Sequence, residues 1–213
     1  MEEEEEQPKE KCCAFMPRLW KTYDLGFMLF LSLQYFNYGF KVIISIAGQQ
    51  LADEYYNLEP QKASLYLAIT ALPYAFNLFY GIFCDSIPLF GSRKRNYIIL
   101  MGFCQFALLA PGVIPIPNIE LAVFMLTANG MCGAVLDVVT DGFICINSRL
   151  DPKHGSSDLW TYAWIMQGLG GFSGCILGGY LCTVGLGRVC FGLVAAIGLC
   201  VMIAGIMIDK KKE

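Results

Sequence analysis

A chain of 213 residues has room for one or two soluble domains, but 56% apolar residues against 15% charged is too little charge for a soluble surface, where roughly a quarter is usual. The formal net charge is only −3, and nothing in its distribution indicates a nucleic-acid partner. What remains is a membrane protein. Long apolar runs, each near the roughly 20 residues that cross a bilayer as helix, alternate with short polar connections.

The first 23 residues form a tail. MEEEEEQPKEK opens with five consecutive glutamates, Glu2 to Glu6, where a signal or transit peptide needs bases, so it reads as a solvated acidic segment. Cys12 and Cys13 sit beside bases just ahead of the first apolar run, a setting that suits reversible acylation as well as plain thiols. Membrane helices are predicted near 25 to 48, 62 to 84, 96 to 115, 119 to 146, 159 to 183 and 188 to 208, giving one six-helix domain over 24 to 208. A basic tail follows over 209 to 213.

In the first predicted helix Gln34, Asn37, Lys41 and Ser45 recur every three or four residues. They form one polar stripe that lipid would penalise, so the stripe should face protein or water. Lys41 is the natural contact for an anionic solute, although at two turns from the predicted outer end it could also snorkel to the headgroups. The second helix carries Asn77 and ends at Asp85, where the macrodipole disfavours an anion and a nearby cation should compensate. Arg93, Lys94 and Arg95 are the expected source. Pro88 and Gly91 set a turn between them, Gly81 lets a neighbouring helix approach, and Pro73 is placed to kink the helix.

The fourth helix holds Asp137 and Asp141, one turn apart on one face and costly in hydrocarbon. Asp141 is expected to pair with the bases at 93 to 95. Asp137, deeper, is a candidate for a coupling proton. Counted at 1.5 Å per residue, Lys41 and Asp137 differ in depth by very roughly 15 Å, too far for direct contact. Thr70, Asn129 and Gln167 read as helix-to-helix hydrogen bonders. In the fifth helix Gly170, Gly174 and Gly178 recur every fourth residue, a face on which another backbone can pack closely.

Six crossings return both ends to one side. Lys9, Lys11, Arg18, Lys21, the 93 to 95 cluster, Arg149, Lys153 and Lys210 to Lys212 all fall there, against Lys62 and Arg188 opposite. That asymmetry predicts both termini in the cytosol, or in the matrix of a mitochondrion. The cysteines lack zinc-site spacing, the single His154 lies in a loop, and no nucleophilic triad, phosphate loop or dinucleotide fingerprint is present. Neither metal, cofactor nor enzyme chemistry is expected.

Three segments carry a family resemblance: LPYAFNLFYGIFCDSIPLFGSRKRNYIIL, GAVLDVVTDGFICINSRL and GSSDLWTYAWIMQGLGGFSGCILGGYL. In order and at matching helices they resemble the folate-biopterin transporter family of the major facilitator superfamily, over roughly residues 35 to 207. The resemblance implies an all-α fold, the N-terminal six-helix half of a carrier that normally has about twelve helices. It implies helices one and four lining a solute path, helices two and five touching the other half, and a pterin, folate or similar small organic solute. Taken with the polar stripe and the acids of the fourth helix, this makes Gln34, Asn37, Lys41, Asn77 and Asp137 the candidate pathway residues. The implied inner-loop contacts are Gly81, Asp85, Gly91, Arg93, Lys94, Arg95 and Asp141. Asn77 and Asn147 depart from the family pattern, replacing a lysine and a glutamate, and a second half is not seen. Two functions follow as expectations: a half-transporter that pairs with itself or with a separate half, or a non-transporting scaffold subunit of a larger membrane complex. Membrane lipid is a partner in either case.

Overall fold

The computed structural model describes residues 15–89 and 94–207, and every regular element among them is helical. A short helix, α1 (Phe15–Thr22), precedes six spans: Leu25–Tyr55, Pro60–Ser86, Arg95–Val113, Ile119–Leu150, Gly155–Thr183 and Val189–Met207. Each is long and apolar enough to cross a bilayer. In hydrocarbon only a chain that satisfies its own backbone survives, so the apolar runs become helices and the polar connections become turns.

Two spans are broken. The first consists of α2 (Leu25–Phe40) and α3 (Val42–Gln50), meeting at Lys41, followed by a π-helical turn at Leu51–Tyr55. The sequence expectation ended this helix near 48. The helix continues to Tyr55, where Gln50 Nε2 donates to Glu54 Oε2 at 2.9 Å and to the Cys182 carbonyl at 2.8 Å. The second span is α4 (Pro60–Ala71) and α5 (Asn77–Ser86), joined by a 3-10 segment at Leu72–Phe76. Pro73 causes this break, since its ring cannot donate to the ladder.

The remaining spans are α6 (Arg95–Leu109), α7 (Ile119–Asn147), α8 (Gly155–Thr183) and α9 (Val189–Met207). Asn118 caps α7 by accepting from the Glu120 amide at 3.1 Å. Gly185, at φ +78°, makes the tight turn from α8 to α9.

Two apolar clusters hold the bundle. One centres on Phe30, Leu31, Leu136, Phe143 and Leu159, the other on Ile43, Leu109, Cys190 and Val194. Between them lies a buried amide pair: Asn37 Nδ2 donates to Gln105 Oε1 at 3.4 Å, and Gln105 Nε2 returns the bond to Asn37 Oδ1 at 3.2 Å. Gln105 Nε2 also reaches the Val194 carbonyl at 3.4 Å, so one polar node ties the first, third and sixth spans.

The glycine ridge of α8 is spent inside the bundle. A Cβ on Gly170 would strike the Phe36 carbonyl, one on Gly174 would stand 2.9 Å from the Phe40 carbonyl oxygen, and one on Gly178 would stand 2.9 Å from the Ile43 side chain. Gly39 answers from α2, pressed against the Gln167 carbonyl. Backbone-to-backbone contact of this kind requires small residues.

Candidate functional site

The break at Lys41 sets the site. An open cavity of about 490 Å³ lies between the first, second and fifth spans, lined by Tyr38, Lys41, Ser45, Tyr74, Trp164 and Gln167 among others. Lys41 is the one charged side chain in that lining. Tyr38 and Tyr74 meet edge to face with ring centroids 6.2 Å apart, so the cation is flanked by aromatic walls. Trp164, 64% exposed, stands on the open side.

The predicted polar stripe divides. Lys41 and Ser45 face the cavity, whereas Asn37 is fully buried in the amide pair with Gln105 and Gln34 is buried with its Oε1 unpartnered. The cavity-facing set is Tyr38, Lys41 and Ser45, with Tyr38 in place of Asn37, whose amide is bonded to Gln105 of the third span. Asn77 is not in the lining either. It opens α5, and its buried Oδ1 has no hydrogen-bond partner. Gln167, expected to bond between helices, contributes its backbone carbonyl to the packing on Gly39 and is itself part of the cavity wall.

The depth count separating Lys41 from Asp137 is also corrected. With the first span running to Tyr55, Lys41 lies near its middle and does not snorkel outward. Its Nζ packs against Gly133 of α7, one turn from Asp137, and the two charges act on one another electrostatically without forming an ion pair among the described residues. Among the described residues Asp141 forms no ion pair with Lys94 or Arg95, and Arg93 lies outside them. The Tyr35 hydroxyl donates to Asp141 Oδ1 at 2.7 Å, and Tyr35 packs edge to face on Trp160.

At the inner connection Lys94 Nζ lies 4.0 Å from Asp85 Oδ1 while resting on Gly142. Gly81 stands against Val138 of α7, the close approach its size predicts. Arg95 serves a different end: its guanidinium donates to the Gly205 and Ile206 carbonyls at 3.2 and 2.7 Å, satisfying the C-terminus of α9. Gly91 and Arg93 lie outside the described residues, as do Cys12, Cys13 and the basic tail. The tie at the start of the bundle comes from Arg18, whose Nε donates to Asp158 Oδ2 at 2.7 Å and docks α1 on α8. Beside it the Tyr23 hydroxyl is buried without a partner. Burial first, then the carboxylates of Asp151 and Asp158, push its pKa above the ordinary tyrosine value.

Sequence reasoning missed Tyr38, Tyr74 and Trp164, since an aromatic in an apolar span looks like packing. The spacing of Tyr38 to Lys41 to Ser45 was the signal that could have found the first.

With this geometry in place the comparisons are informative. A family model described as the BT1 family matches residues 38–213. The chain belongs to the BT1 family. It is similar to "Probable folate-biopterin transporter 4" of Arabidopsis thaliana, at 24% identity over 169 residues covering 78% of the chain and 34% of that protein. It is likewise similar to "Folate transporter 1" of Plasmodium falciparum, at 21% identity over 176 residues, 82% of the chain and 35% of that protein. The chain thus spans about a third of the length of these curated relatives. No solved structure matches it. A BT1 protein of this kind is a multi-pass integral membrane protein of a transporter family, not an enzyme.

Proposed function

We propose that this chain is one six-helix half of a carrier for a folate, a pterin or a similar small organic anion, and that a second half closes over the Lys41 cavity. The observation that carries the reading is the cavity itself: one ammonium between aromatic walls, on the side where the second and fifth spans are least covered. A cation held by aromatic and amide groups suits a flat anionic solute, because the charge fixes one end and the rings stack the other. The closing half is a second copy, a separate chain or further residues of a longer polypeptide. The relatives named as folate and folate-biopterin transporters support this solute class. The excess of bases at the α1 end supports a cytosolic or matrix placement of that end.

In this carrier Asp137, one turn from Gly133, is the group that takes the coupling proton. Folic acid uptake into proteoliposomes tests both assignments. Lys41→Gln should weaken folic acid binding by roughly tenfold or more, the loss of one charge-assisted contact. Asp137→Asn should leave insertion intact and abolish the stimulation by a proton gradient. Wild-type behaviour of both variants, or no binding of folic acid or biopterin by the purified protein, contradicts the reading.

A further inference from the structure

Gly133 is buried in the middle of α7, where an alanine would be the better helix former, so its presence asks for a reason. Its surroundings supply one. A Cβ at this position would stand 2.5 Å from the Tyr74 hydroxyl oxygen and 2.7 Å from Lys41 Nζ. Two polar tips, from the second and first spans, therefore converge on a place in α7 where a side chain is missing. Gly142 of the same helix takes a single polar tip, Lys94 Nζ, away from the cavity, whereas Gly170, Gly174 and Gly130 press against backbone carbonyls and Gly179 has nothing within 4 Å.

We propose that Gly133 is the positioning residue of the site, forming a notch that seats the Lys41 ammonium and the Tyr74 hydroxyl within one turn of Asp137. The notch draws the cavity's single cation to the wall of α7 instead of leaving it extended into the opening between the first, second and fifth spans. It fixes where a bound anion finds its counter-charge, and it keeps that charge within the field of Asp137. The seat follows from packing alone; its consequence for solute rests on the carrier reading above.

The test separates the two. The full chain is reconstituted in nanodiscs and pulsed with a water-soluble acylating reagent, and acylation of each lysine is quantified by peptide mass spectrometry. Lys62, 63% exposed, is the internal reference. In the wild type Lys41 should react far more slowly than Lys62, and equal rates overturn the notch without any variant. Gly133→Ala should displace the ammonium into the cavity and raise Lys41 acylation by roughly fivefold or more, the lower end of what overpacking displaces. Gly179→Ala, on α8 outside the cavity lining and with nothing within 4 Å, should leave it unchanged. A Gly133→Ala protein that keeps its thermal midpoint and labels at the wild-type rate overturns the proposal. Folic acid binding is then measured on the same samples: Gly133→Ala should raise its dissociation constant, with Gly179→Ala as wild type. If no sample binds folic acid while the labelling pattern holds, the carrier reading fails and the notch stands.

Discussion

The first and fifth spans lie side by side yet live in different surroundings. Half of the most apolar window of the first span is buried within the bundle, against 17% for the fifth and 11% for the second. Both kinds of span cross hydrocarbon equally well by composition, so apolarity reports the crossing and not the neighbour. What distinguishes the faces of the fifth span is residue size. Gly170, Gly174 and Gly178 fit the backbone of the first span, while Trp164, Phe172 and Tyr180 point away from the bundle, 64%, 69% and 66% exposed. One helix thus carries a tight intramolecular face and an open face beside the cavity.

The sharpest way to break this comparison is to place the same substitution on each face. Gly170→Leu must force the α2 backbone away and should cost about 3 kcal/mol, read as a large fall in the thermal midpoint or in folded yield. Gly179→Leu, where nothing lies within 4 Å, should stay within about 0.5 kcal/mol of wild type. Equal losses would mean that the two faces are not distinct.

A smaller effect probes the covered side. Gln105→Leu leaves the Asn37 amide buried without its partner and should cost about 1 to 3 kcal/mol, with Asn37→Leu in the same chain recovering part of that. Additive losses in a double-mutant cycle would show that the two amides do not interact. Smaller again is Lys94→Ala at the inner connection. Asp85 is 72% exposed and the pair is 4.0 Å long, so the change should be under about 1 kcal/mol and fade in high salt. The smallest concerns Tyr23. Its folded pKa is raised, so the contribution is intact below the unfolded value near 10 and lost as pH climbs through the folded value. Tyr23→Phe should be neutral or slightly stabilising at pH 7 and should flatten the loss of stability above about pH 10.

Much of the fold is legible from composition, because a bilayer leaves few alternatives to helices. All six crossings are predicted within several residues, and the end that was misplaced, at Tyr55, is the one where glutamine and glutamate side chains satisfy each other inside a helix. The glycine ridge is legible as a packing face, though periodicity cannot say which helix it meets. The site was harder. Asn37 and Lys41 share a stripe by spacing, yet one is buried against Gln105 in the third span and the other faces the cavity, a division that depends on where a distant helix packs. Asp141 accepts from the Tyr35 hydroxyl of the first span, a contact between distant helices that spacing along the sequence does not reveal.

The central claim is that the side of the bundle bearing Ser45 and Gln167 lines a water-accessible path and not lipid. The direct measurement is the labelling rate of Ser45→Cys and Gln167→Cys in proteoliposomes by a membrane-impermeant thiol reagent, quantified by peptide, with Phe103→Cys as the reference. Phe103 is 55% exposed on the third span, away from the cavity. Rapid labelling at 45 and 167 with an inert 103, slowed by added folic acid, is the predicted result. Labelling at 45 and 167 as slow as at 103 would place those positions in acyl chains and contradict the account.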